Sequence, residues 1–441
     1  MARYVSNTHG KWRLLKYKIL LVLLGIGGGV KVHLVGEISI SEFFYVLYFM
    51  YFFCFHKDFW KIREYKTVTL LYVGLLASQI VSEIAVGNTP DNALRGIAVT
   101  VVSFCYLTFL IKMFMIDRSL VLWVIVGIIF RYVLWPSSFE DSLEASLENE
   151  NAKFFKSFLC PVISNILLAV SVLWHVRILP QIMLFFALIF FIVGARSSAL
   201  ILFMAAFVSW FFLSGKRISK KKLTRSIMTI LILSYGLYVV YANAVLSGQI
   251  TGGNSTQLIN SSNPYNPFNL LKQGRSEVFI GWIAFMDKPL FGHGSWAQDV
   301  GYKYHTLYSK IRNDDEKFDR MTFTGHDVIP THSVIISMGT MNGILAFAFM
   351  LAIIYFFLKR GIRLILYSND RYLIVISFFF FSLCWNSLFS PLSHFRGTLP
   401  LYMAFILVSY ILYIRRDEER QIGTRCPTIY NKIRQPNNSR R

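Results

Sequence analysis

Long runs without a charged residue decide what this chain can fold into. "GILAFAFMLAIIYFFL", Gly343–Leu358, is one of them, and "ILLVLLGIGGGV" and "ILFMAAFVSWFFL" repeat the pattern. Crossing a hydrocarbon core takes about 20 predominantly apolar residues. The whole chain is 55% hydrophobic and 16% charged, with a mean hydropathy of +0.49. Soluble domains average roughly 25% charged residues, so there is too little polar material here to coat a globule. These features predict an all-α polytopic membrane protein.

Marking the apolar runs predicts about 12 spans, centred near Leu23, Leu47, Leu75, Val102, Val126, Leu167, Phe186, Met204, Leu233, Ala346, Phe379 and Ile406. With the N-terminus in the cytoplasm, 30 of the 45 Lys and Arg residues fall on the cytoplasmic side and 14 outside, 8 of the latter in one long loop. "SGKRISKKKLTR" is strongly basic, whereas "SSFEDSLEASLENENAKFFK", on the other side, is acidic. The net charge of +21 is then a topology signal, with contact to anionic lipid, and not a nucleic-acid footprint. The first run has a basic flank but no small-residue cleavage site, as expected of a signal anchor. Both termini are expected in the cytoplasm.

Four units follow. Residues 1–247 hold spans 1 to 9, residues 248–332 an outer loop, residues 333–414 spans 10 to 12, and residues 415–441 a basic tail. The loop has no cysteine with which to staple a domain, and the five cysteines form no CxxC pair. There is no HExxH and no carboxylate-rich cation loop, so neither a metal nor a cofactor is expected. Within the loop, Val278, Phe279, Trp282, Ile283 and Met286 follow helical spacing. They predict an amphipathic helix from Arg275 to Asp287, lying along the outer membrane surface and ended by Lys288-Pro289, with a tight turn at "FGHG". His9, His305 and His293 read as exposed loop histidines.

Charged residues near membrane depth need a reason. Arg196 in "GARSS", Arg95 in "NTPDNALRG", Arg275, His332 in "IPTHS" and Arg396 in "SHFRG" all fall on the predicted outer side. Arg presents a planar donor fork that pairs bidentately with phosphate oxygens. His titrates near neutrality and can take a proton from an attacking hydroxyl. Together they suit a lipid-linked diphosphate, whose charge the arginines would neutralise as it leaves. Arg95 and Arg396 also read as arginines that snorkel to lipid headgroups. Arg131 and Glu83 lie inside spans, either as mates or separately.

"GARSSALILFMAAF", "GRSEVFIGWIAFMDKPLFGHGSW" and "THSVIISMGTMNGILAF" resemble, in order, spacing and sidedness, three landmarks of the O-antigen ligase and polymerase superfamily. The resemblance implies a GT-C-like, all-helical glycosyltransferase of the bacterial inner membrane. Its donor would be an undecaprenyl-diphosphate-linked oligosaccharide, and its acceptor a glycan or lipid A-core. Transfer would be metal-independent, on the periplasmic face. The large periplasmic loop would lie between spans 9 and 10. Carried over, His332 is the catalytic histidine, and Arg196 and Arg275 bind the diphosphate. Trp282 and the Gly292/Gly294 turn support the site. A polymerase is slightly preferred to a ligase. A polysaccharide transporter or flippase is the alternative class, although no internal repeat is visible, and a non-catalytic scaffold is a third.

Overall fold

In lipid, a backbone group must find its hydrogen-bond partner within its own segment, so the apolar runs fold as helices. The computed structural model describes residues 8–425 except 34–35, 56, 136–153, 175–177, 214–227, 250–257, 260–262, 313–326, 369 and several positions between 229 and 237. The acidic 137–151 stretch, the basic 214–225 stretch, much of the apolar run centred on Leu233 and the tail beyond Arg425 lie outside the described residues.

Five helices are long and apolar enough to cross a membrane: Arg63–Val86, Pro90–Ile116, Phe154–Leu173, Val334–Tyr367 and Leu399–Glu418. Shorter apolar helices run over Ile40–Phe55, Leu179–Ile192, Arg196–Phe212 and Leu373–Phe389. Thr8–Gly27 and Val121–Leu134 are helical too. Among the described residues the only sheet is a small antiparallel hairpin, Lys31–His33 with Glu37–Ser39. The molecule is therefore mostly helical, as expected of an all-α membrane protein.

One core joins the helices 63–86, 90–116, 334–367, 373–389 and 399–425. Phe405 lies at its centre, edge-on to Phe114 at 5.5 Å and to Phe379 at 5.6 Å between ring centroids. Aromatic pairs favour this arrangement because the positive ring edge meets the negative face. Buried hydroxyl pairs, Tyr65 with Thr108 and Tyr72 with Ser103, each at 3.1 Å, tie helix 63–86 to helix 90–116. A second cluster, including Met183, Phe190, Leu202 and Ala206, packs helix 179–192 against helix 196–213.

Close helix crossings depend on missing side chains. A Cβ on Gly25 would lie 2.6 Å from the Gly127 Cα, and one on Gly127 would lie 2.8 Å from the Val22 carbonyl oxygen. Small residues let membrane helices touch backbone to backbone, and helix 8–27 meets helix 121–134 in this way. At the far end of helix 90–116, Arg118 donates to Asp370 at 2.6 Å and stacks on the Tyr372 ring at 4.6 Å. That buried pair clamps the connection between helices 334–367 and 373–389 to the end of helix 90–116.

Gly127→Leu should force the 8–27 and 121–134 helices apart. Overpacking of this kind costs about 1–3 kcal/mol, so the detergent-solubilised protein should melt several degrees lower. An unchanged melting temperature would show that the crossing is not tight.

Candidate functional site

The helix Val334–Tyr367 is broken. Gly343 has φ 74° and ψ −169°, well outside helical values. A break strands backbone groups, and stranded groups at membrane depth are costly. Here the turn from Pro289 to Gly294 supplies the missing partners. His293 N donates to the Thr340 carbonyl and Gly294 N to the Met341 carbonyl, while Ile344 N donates to the Pro289 carbonyl, each at 2.8 Å. Glycine is required on both sides of this junction. Gly292 and Gly294 hold φ of 72° and 89°, and a Cβ on Gly343 would lie 2.1 Å from the Leu290 carbonyl oxygen. The expected Gly292/Gly294 turn is therefore present, and its role is to mend the helix.

A second lock lies one residue further on. Glu83, buried in helix 63–86, accepts at Oε1 from Ser295 N and Asn342 Nδ2, both at 3.0 Å, and from the Ser295 hydroxyl. Its Oε2 accepts from Asn88 Nδ2 at 2.6 Å. Ser295 fits only because residue 96 is glycine, whose Cβ would sit 2.0 Å from the Ser295 Oγ. Glu83 and Arg131 are thus not mates. Arg131 lies beside Gly28, with Nη1 3.2 Å from where a Cβ on that glycine would be.

The loop helix spans Ser276–Asp287, with Arg275 at its N-cap. Its buried face carries Ile280, Gly281, Ala284 and Phe285, and Thr340 Oγ1 donates to the Gly281 carbonyl at 2.8 Å. The apolar stripe read from the spacing is not the side that packs on the protein. Phe279, Trp282 and Met286 point outward, because both sides of the helix are apolar and the side with the small residues packs on the protein. Trp282 stays in reach of that contact, edge-on to Phe285 and Phe347 at 5.6 and 6.2 Å.

A short helix, Lys303–Arg312, buttresses the arm. Lys303 pairs with Asp287 at 2.5 Å, and the Tyr304 hydroxyl donates to the same carboxylate at 2.7 Å. The hydrogen bonds from Lys303 and then Tyr304 hold the Asp287 carboxyl below its ordinary range. Buried Asp299 accepts from the Tyr304 and His305 backbone N–H groups and lies 2.7 Å from His305 Nδ1. His293 Nε2 lies 2.8 Å from the Ala284 carbonyl, and burial lowers its pKa. Neither His293 nor His305 is the exposed loop histidine expected; both are bonded within the arm. His9 has no described surroundings.

Arg275 and His332 both come to the C-terminal end of helix 373–389. The Arg275 guanidinium lies 5.6 Å from the Trp385 ring centroid. Ser333, which follows His332 and caps helix 334–367, donates to the Ser387 carbonyl at 3.3 Å. Beyond that helix end, Ser393–Gly397 carries His394, whose Nδ1 lies 3.0 Å from Thr398 Oγ1. Burial first, and then the charge of His332, push the His394 pKa down to about 4. The pair thus holds one imidazole that is neutral at neutral pH. In the sequence His394 is masked by its neighbour Arg396, although it is a second histidine on the same predicted side as His332.

The other arginines are differently engaged. Arg396 Nε lies 3.4 Å from Glu42, and its Nη2 donates to the Glu37 carbonyl at 2.9 Å. The same hairpin covers Arg95, whose Cγ is 3.6 Å from where a Cβ on Gly36 would be. Arg196 donates to the Tyr241 hydroxyl and lies 5.1 Å over that ring, on the helical stretch 238–246. The structure therefore brings Arg275 and His332 to one helix end, sets Arg95 beside the hairpin, ties Arg396 to it, and ties Arg196 to Tyr241. Among the described residues no three His, Cys, Asp or Glu side chains gather as metal ligands would.

Two measurements check this geometry. Glu83→Ala leaves three side-chain or backbone donor residues, Ser295, Asn342 and Asn88, short of an acceptor; an unsatisfied buried group costs about 1–3 kcal/mol. Hydrogen exchange at the 292–295 amides should accelerate at least tenfold, and unchanged exchange would remove the lock. An unfolded histidine takes up its proton near pH 6.5, whereas His394 does so only near 4. Folded stability therefore falls as pH drops between those values, and His394→Gln should flatten that fall. No family model matches the chain, and no curated protein matches it.

Proposed function

We propose that the chain is a membrane glycosyltransferase of the O-antigen polymerase or ligase type. It would transfer a glycan from a lipid-linked diphosphate, in the family undecaprenyl diphosphate, to a sugar hydroxyl. The reaction would take place at the periplasmic face of a bacterial inner membrane. The observation that carries this is the meeting of Arg275, Trp385, His332 and His394 around the end of one helix.

Arg275 presents the charge-assisted donors that a departing diphosphate needs, so the positive charge comes from side chains. His332 takes the acceptor hydroxyl proton as the oxygen attacks the anomeric carbon, and the bond to the diphosphate oxygen breaks on the opposite side. Arg196 would hold the diphosphate through a rearrangement that frees it from Tyr241. Arg95, beside the hairpin, and Arg396, held by it, would shape the rim.

Transport is the second reading, because a helix broken inside the membrane is where transporters bind ions and substrates. At Gly343, however, the carbonyls of Thr340 and Met341 and the N–H of Ile344 are taken by the 289–294 turn. Each of those groups is thus already paired, so the break does not leave the bare backbone polar groups that a solute or ion would need to satisfy.

His332→Ala and Arg275→Ala should abolish surface glycan assembly at normal protein levels, whereas Lys303→Ala should retain most of it. Full assembly by His332→Ala would exclude its catalytic role. Loss of the chain-length ladder with one repeat unit on core would indicate a polymerase. Accumulated lipid-linked polymer over bare core would indicate a ligase. Solute uptake by proteoliposomes without glycan transfer would favour the transporter.

A further inference from the structure

At the end of the bundle opposite the arm, three arginines meet without a carboxylate partner. Arg360 and Arg363 follow the uncharged run that ends at Leu358 and lie one turn apart on helix 334–367. A single tyrosine from helix 399–425 organises both. The Tyr410 hydroxyl accepts from Arg363 Nη1 at 2.9 Å, and its ring lies 5.2 Å from the Arg360 guanidinium. Arg360 also stacks on Phe356 at 3.3 Å and donates to the Phe356 carbonyl. Arg63, exposed at the start of the antiparallel helix 63–86, lies within electrostatic reach of Arg360, as does Glu64.

None of these three guanidinium groups has an ion pair among the described residues. That contrasts with Arg118 at the same end, which is fully engaged with Asp370. Like charges held side by side repel, and Glu64 is a single carboxylate against three guanidinium groups. Their position specifies what would complete the balance. The cluster begins where the apolar run stops, at the level where a bilayer presents its headgroups. Stacking on Tyr410 and Phe356 fixes the orientation of Arg360, leaving less rotamer freedom to lose when it binds. Basic pockets between membrane helices are suited to anionic phospholipids.

We propose that Arg63, Arg360 and Arg363, framed by Tyr410, form a binding site for the phosphate of an anionic phospholipid. The phosphate oxygens accept from the guanidinium forks, and the acyl chains lie along the exposed apolar surface of helix 334–367, which includes Tyr355 and Ile362. The site is independent of the glycosyltransferase chemistry, since it lies at the other end of the bundle and uses none of the same residues.

The test uses the full chain, delipidated in detergent, with melting temperature and native mass spectrometry as readouts. Phosphatidylglycerol should raise the melting temperature and remain bound in the mass spectrum, while phosphatidylcholine at the same concentration should do neither. Each arginine near an anionic surface contributes about 1 kcal/mol, so Arg363→Gln and Arg63→Gln should each weaken phosphatidylglycerol binding about fivefold. Arg63 is exposed and outside the Tyr410 contacts, so its variant remains informative if Arg363→Gln fails to fold. Equal stabilisation by phosphatidylcholine, or unchanged binding in Arg63→Gln and Arg363→Gln, would overturn the site. An equal shift with inorganic phosphate alone would assign it to free phosphate and overturn the lipid.

Discussion

Glu83 holds the two halves of the architecture together. A carboxylate buried among helices is expensive unless hydrogen bonds replace its water. Here they come from three separate places: Asn88 at the helix turn, Asn342 beside the break, and Ser295 on the arm. One side chain thus ties helix 63–86, the start of helix 90–116, helix 334–367 and the loop to a common point. Arg275 and His332 sit on the chain segments that this point immobilises. Their positions follow from a contact in which neither takes part.

Much of the frame was legible in the sequence because it is local. The uncharged runs become helices, the 275–287 helix starts and stops where its Arg and its Lys-Pro put the boundaries, and the FGHG turn bends at its glycines. The buried face of that helix was not legible, because Phe279, Trp282 and Met286 form as good an apolar stripe as Ile280, Ala284 and Phe285. Only the neighbour against which it packs decides between them. Glu83 showed the same limit. Its partners lie five, 212 and 259 residues away, and no periodicity reports contacts at that range.

The candidate site divides similarly. The chemistry of Arg275 and His332 could be argued from residue type and sidedness, and the fold brings both to helix 373–389. Arg196 was read from its tight turn, yet the ring that holds it, Tyr241, belongs to a stretch with no distinguishing motif. Arg95 and Arg396 converge on a hairpin whose strands are three residues each, too short for alternation to announce. His394 was hidden by its more conspicuous neighbour.

The break at Gly343 also bears on how the molecule is assembled. The 289–294 turn leaves the ribosome about 50 residues ahead of the helix that it completes. When Thr340, Met341 and Ile344 enter the bilayer, their backbone groups have no partners within their own helix. They must wait for a segment that was made earlier and lies outside this helix. Insertion by hydrophobicity alone therefore cannot finish this helix. Its last step is a docking event between the 289–294 turn and the break at Gly343, so a contact between separate segments, and not hydrophobicity, completes the helix.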